Sequence, residues 1–307
     1  MKTIDFNTHL FRCSQLGKLM VGVSPALTSN QENELKELKE KVLTGKITEK
    51  QIIKLGDLLR KRDEKPEISK SVETHLSDIH KGFFMKRDRH ISNKFTEKGI
   101  RVEEKSITLY SDVKNTLFVK NQKHYSDRFK KGTPDNVQKK VRDMKSSWSL
   151  DTFPMYEKAI QNKDYIWQLY GYMDLTKIYE SELVYALIDT PTNIIVDELR
   201  RLDWKQGIFD LNGNVNEDRI PLVVETVQNM IYTEQGLDEF CQQSTSIQKE
   251  WFTDFFEIPK ELRIKVFELE YSKEPIQSLH EQITICRERL NGLTVEIFNH
   301  LFPDFAA

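Results

Sequence analysis

Asp143-Met144-Lys145 sets a carboxylate and an ammonium two residues apart, and Asp135 lies eight residues before the pair. On a strand, successive side chains alternate between faces, so Asp143 and Lys145 would share one face. If Asp135 stands at the end of a preceding strand, paired through a tight hairpin around Gln138-Lys139, two carboxylates and an ammonium converge. Hard divalent cations take such oxygen donors, and the backbone carbonyl of Met144 can add another beside waters. A cation held there orients and activates a water and stabilises charge on a phosphodiester, while Lys145 positions the water or neutralises the transition state. An isolated Asp–Lys pair on a strand is more often a surface ion pair. The surrounding elements therefore decide the reading.

From Gln31 to Arg62, apolar residues recur at helical spacing on either side of Thr44-Gly45-Lys46, the pattern of a helical hairpin. Pro66 is expected to open a further helix through His80, and another spans Thr96 to Ser111. Thr116–Phe129 and Val141–Ser147 are rich in β-branched and aromatic residues and read as strands, with a break at Gly132-Thr133-Pro134. Lys163–Tyr179 reads as a helix, and the apolar run Leu183–Ile188 as a strand buried on both faces. Helices, strands, helix and strand in that order predict an α/β fold with a central mixed β-sheet flanked by helices. After Thr190-Pro191-Thr192 the chain turns acidic and mostly helical, through Val196–Leu202, Ile220–Thr233 and Pro275–Leu293. Arg263–Glu270 alternates and could rejoin the sheet. This organisation assigns residues 1–190 to a core with a helical insertion at about 31–81, and 191–307 to a mostly helical C-terminal extension.

With 307 residues, 38% of them hydrophobic and 31% charged, and only 12 Gly and 9 Pro, the chain falls outside the collagen-like, low-complexity and disordered classes. Neither a membrane span nor a cleavable leader is evident, so a cytoplasmic location without a membrane partner is expected. Cys13, Cys241 and Cys286 are too scattered for a disulfide framework or a structural zinc site. Phosphate-cradling GxxxxGK[ST] and dinucleotide GxGxxG patterns are absent, as are HxH and HExxH. The formal net charge of −2 conceals an asymmetry: Lys81–Lys145 holds 18 Lys/Arg against 8 Asp/Glu, interleaved with Phe95, Tyr110, Phe118, Tyr125 and Phe129. Cations that neutralise phosphates beside rings that stack suit a nucleic acid. The acidic remainder argues against a protein that merely coats DNA.

Several stretches together resemble the PD-(D/E)xK nuclease superfamily, in its lambda-type phage exonuclease and RecB-like branch, the YqaJ-like viral recombinases. Gly99-Ile100-Arg101-Val102-Glu103 is similar to the GxxxE helix motif. Gly132-Thr133-Pro134-Asp135 and Asp143-Met144-Lys145 are similar to the two metal-binding strand motifs, and Gln168-Leu169-Tyr170-Gly171-Tyr172 to QxxxY on the helix that follows. Phe11–Gly17 resembles the first helix of the phage enzymes, where Arg12 and Ser14 would contact a terminal 5′-phosphate. The likeness covers roughly residues 7–190.

That resemblance implies a restriction-endonuclease-like core and a Mg²⁺-dependent deoxyribonuclease, with Mn²⁺ as a substitute. Asp135, Asp143, Glu103 and the Met144 carbonyl would hold metal, Lys145 would assist the water, and Gln168 and Tyr172 would organise the site. Adjacent Glu104 is assigned to solvent, since only one of the two neighbours on a helix can face the sheet. Trp148 and Phe153 are read as core or loop anchors. The implied activity is a phage-type recombination exonuclease acting on double-stranded DNA ends, beside a single-strand annealing protein and in a homo-oligomeric ring. A structure-specific or non-specific endonuclease is the alternative within the same chemistry, and a non-catalytic DNA clamp the alternative outside it.

Overall fold

The computed structural model describes residues 5–23, 29–63, 68–87 and 93–301. Pro66 and residues 88–92 of the basic segment lie outside them. The chain divides into two compact units, one made of residues 1–9, 15–88 and 277–307, the other of 10–14 and 89–276.

In the first unit, α1 (Leu16–Leu19) is followed by α2 (Ser29–Leu43) and α3 (Glu49–Asp63). These last two form the expected hairpin, closing Leu35 and Leu38 over Leu58 across Gly45, whose φ of 64° suits the turn. Its apolar spacing overstates its core, because Val42, Ile52 and Ile53 stay exposed. Ser69 caps α4 (Lys70–Met85) by accepting from Val72 N, and the helix runs past His80 to a left-handed Lys86. Residues from Gln277 onward in the last helix, Lys273–Leu301, tie to this unit through Arg289–Glu73 at 2.6 Å and Arg287 donating to His9 O at 2.7 Å.

The second unit carries both sheets. A short strand, β1 (Phe11–Arg12), opens it, and α5 (Lys94–Lys114) follows, its N-terminus closed by a capping box between Asn93 and Thr96. Next come β2 (Tyr125–Ser126), β3 (Lys130–Gly132), β4 (Asn136–Val137), β5 (Val141–Ser146), α6 (Lys163–Thr176) and β6 (Glu180–Ala186). Helices α7 (Thr192–Gln206), α8 (Ile220–Gln228) and α9 (Glu234–Gln243) lead to β7 (Ile264–Glu270). One mixed sheet has the order β1-β3-β2 and the other β4-β5-β6-β7. The β4–β5 hairpin turns at Gln138–Lys140, and β7 joins β6 antiparallel, so the alternating segment near the C-terminus does enter the main sheet.

Alternation sorts the main sheet's faces. Met144 and Val184 pack under Ile107 and Tyr110 of α5, while Leu183 and Phe267 pack under Leu169 of α6. Asp143 and Lys145 fall on the α6 face. Residues 194–252 build a further core around Ile195, Val223, Val227 and Phe240.

Thr116–His124 is not a strand. Its backbone runs extended beside β4, but side chains replace the ladder: Asn136 Nδ2 donates to Val119 O and Gln138 Nε2 to Leu117 O. The helix expected to reach Tyr179 stops at Thr176 with Lys177 left-handed, and the one expected to reach Thr233 stops at Gln228. Thr233 instead caps α9 by accepting from Gly236 N at 2.9 Å.

Candidate active site

Register builds the site. Asn136 lies opposite Arg142, so the residue before β4, Asp135, reaches the level of Asp143, and its Oδ2 accepts from Met144 N at 2.6 Å. Ser147 N–H donates toward β6, to Ala186 O, and alternation therefore aims the N–H and C=O of Met144 at the opposite edge. That edge has run out of partner strand beyond Asn136. The Met144 carbonyl thus faces the same side as Asp135.

Asp143 is 2% exposed. Its Oδ2 stands 2.7 Å from the Lys145 ammonium, and its Oδ1 accepts from Gln168 Nε2 at 3.0 Å. Gln168 is the hub: its Oε1 accepts from Lys145 at 3.3 Å, and its Nε2 also meets Tyr172 OH at 3.0 Å. The one-turn spacing of Gln168 and Tyr172 on α6 puts both on the sheet-facing side. These residues form the floor of a cleft of about 1060 Å³, with Glu103 on its wall. Glu104 points away and is mostly exposed.

Charge in this cleft is out of balance. Burial, then the neighbouring Asp143, push the Asp135 carboxyl up to about 8, with Glu103 adding to the rise and Lys145 opposing it. Asp143 Oδ2 is buried with the Lys145 ammonium as its ion-pair partner. Three carboxylates and an open backbone carbonyl, without histidine or thiolate, fit a hard divalent cation. The three carboxylates are not yet gathered around one point, however. One oxygen each from Glu103, Asp135 and Asp143 do not come within 4.8 Å of one another.

Among solved structures, a phage-related exonuclease from Haemophilus somnus 129PT matches with a TM-score of 0.59 at 18% identity, over 94% of this chain and 96% of that one. The fold is that of a phage-related exonuclease. LHK-Exo, an alkaline exonuclease from Laribacter hongkongensis, matches at 7% identity over 96% of this chain and 94% of that one, with a TM-score of 0.48. Its complex with dAMP matches at 9% identity over 98% and 96%, with a TM-score of 0.47. No family model and no curated protein matches the chain.

Within this exonuclease fold, Arg12 and Ser14 do not begin a helix as expected. Arg12 is on β1, opposite Lys131 of β3, and Ser14 lies in the 3-10 turn that follows. A two-residue strand carries too little periodicity to be read from sequence. Both residues line the cleft and also an adjoining cavity of about 560 Å³, whose walls include Lys131, His124, Thr133 and Tyr172. A guanidinium and a hydroxyl thus border the acidic floor.

Other contributors escaped the sequence reading. The Tyr165 ring lies 4.5 Å under the Lys145 ammonium. Lys98, 1% exposed, donates to Ser147 O at 2.7 Å and to Trp148 O at 2.8 Å, fixing the chain where it leaves β5. Burial lowers its ammonium to about 7. The charge count of the basic segment was also too generous as a measure of phosphate-binding surface. Lys98, Lys130 and Arg142 are buried, and Lys140 is bound to Glu268 and Glu182.

Proposed function

We propose that the chain is a Mg²⁺-dependent deoxyribonuclease that digests double-stranded DNA from its ends. The observation that carries this reading is the linked set Asp135, Asp143, Lys145 and Gln168 on the floor of an open cleft in an exonuclease fold. Asp135, Asp143, Glu103 and the Met144 carbonyl would hold the metal, which when bound supplies charge to stabilise the phosphodiester transition state and to acidify a water. Lys145, held on one side by Asp143 and on the other by Gln168 and the Tyr165 ring, presents its ammonium to the water or to a non-bridging phosphate oxygen. Gln168 keeps Asp143 and Lys145 in register, and Tyr172 keeps Gln168 from rotating. Digestion of one strand leaves the other single, which makes a single-strand annealing protein the expected partner.

Arg12 can meet a terminal phosphate with a two-pronged guanidinium, and Ser14 adds a hydroxyl donor. Linear duplex with 5′-phosphates should therefore be digested about tenfold or more faster than the same duplex with 5′-hydroxyls, the value of one charge-assisted contact. Arg12→Ala should erase most of that difference, as measured by release of labelled nucleotide. Equal rates on both duplexes, unchanged by Arg12→Ala, would return Arg12 to the role of a surface charge.

A further inference from the structure

Lys120 sits in the Thr116–His124 segment beside β4. Its ammonium lies 3.2 Å from Glu103 Oε1 and 3.9 Å from Glu104 Oε1. The backbone around it is fastened to the Asp135 hairpin. Asn121 N donates to Asp135 O at 2.7 Å, Asn121 Nδ2 to Pro134 O at 2.9 Å, and Asn136 Nδ2 to Val119 O at 2.8 Å. Lys120 therefore starts beside one carboxylate of the acidic site and ends on another. Its side chain is 37% exposed, so it has room to swing into solvent. Glu103, the carboxylate it holds, lines the same cleft as Asp135 and Asp143.

We propose that Lys120 is a resident cation of the site: it occupies Glu103 when no divalent ion is bound, and gives Glu103 up when one enters. The inference rests on the metal-site reading above and adds a control to it. Because the incoming ion must displace the lysine, the ion pair sets the metal concentration at which the site fills. A part-exposed pair is worth roughly 0.2–1 kcal/mol, so its removal changes affinity by up to about fivefold.

The test is equilibrium Mn²⁺ binding to the full chain without DNA, read from the loss of the free-ion paramagnetic resonance signal. Lys120→Met keeps most of the aliphatic stem and deletes the charge. It should tighten Mn²⁺ binding by about two- to fivefold, and the gain should vanish when the same change is made in Glu103→Gln, where no carboxylate awaits release. Unchanged or weaker binding in Lys120→Met would overturn the proposal, and so would equal tightening in both backgrounds, which is the mark of a general field. Failure of the underlying metal site has a different signature: the unaltered chain would then show no Mn²⁺ binding that Asp143→Asn abolishes.

Discussion

Asp143→Asn should lose on the order of 10³-fold in turnover while folding and DNA binding persist, and Lys145→Ala should lose about 10²–10³-fold. The first change is nearly isosteric, and its remaining side-chain oxygen can still accept from Gln168 Nε2, so the contact at 3.0 Å survives. What disappears is the buried negative charge that faces Lys145 and that a divalent ion would require. In Lys145→Ala the carboxylates stay, but the ammonium at 2.7 Å from Asp143 and 3.3 Å from Gln168 is gone. Both losses should fall on kcat more than on KM, because neither group is needed to hold the duplex. Circular dichroism and filter binding of DNA check that fold and affinity remain. Full turnover by either folded variant contradicts the assignment of the floor residues.

Gly132→Ala should cost about 1–3 kcal/mol of stability, and activity with it, as overpacking against fixed neighbours does. The glycine is required for space. An added Cβ would lie 2.6 Å from Tyr172 Cε1, 3.0 Å from Cys13 Sγ and 3.1 Å from Cys13 Cβ. Tyr172 cannot step aside cheaply, because its hydroxyl is held by Gln168, which also holds Asp143. The strain is thus transmitted to the floor of the cleft. Thermal unfolding followed beside DNA digestion measures both effects. A variant as stable and as active as the parent would mean that the Tyr172 ring moves without disturbing Gln168.

The floor was legible through the resemblance of its motifs to the PD-(D/E)xK pattern, and short periods told which of its residues share a face. Asp143 and Lys145 follow the two-residue period of a strand, and Gln168 and Tyr172 the one-turn spacing of a helix. The alternation of Arg263–Glu270, broken only at Val266-Phe267, marked a strand that could rejoin the sheet, and β7 does so. What failed had no period to read. Composition made Thr116–His124 look like a strand, yet most of its ties to the neighbouring hairpin come from the side chains of Asn121, Asn136 and Gln138, with a single backbone bond from Asn121 N to Asp135 O. Lys120 and Tyr165 gained their places by three-dimensional neighbourhood alone: Glu103 is 17 residues from Lys120, and Lys145 is 20 from Tyr165. Buried cations such as Lys98 and Lys130 look in a sequence like surface charge, and only packing separates the two.

Hydrolysis of DNA from an end with a divalent ion is the activity proposed for this site. It is tested most directly by incubating the purified chain with linear duplex and with covalently closed circular duplex, each in Mg²⁺ and in EDTA, with Asp143→Asn in parallel. Release of nucleotides from linear duplex in Mg²⁺ alone, intact circles throughout and no release by Asp143→Asn is the predicted result. Prompt cutting of the circles, digestion that continues in EDTA, or linear duplex left untouched in Mg²⁺ would contradict it.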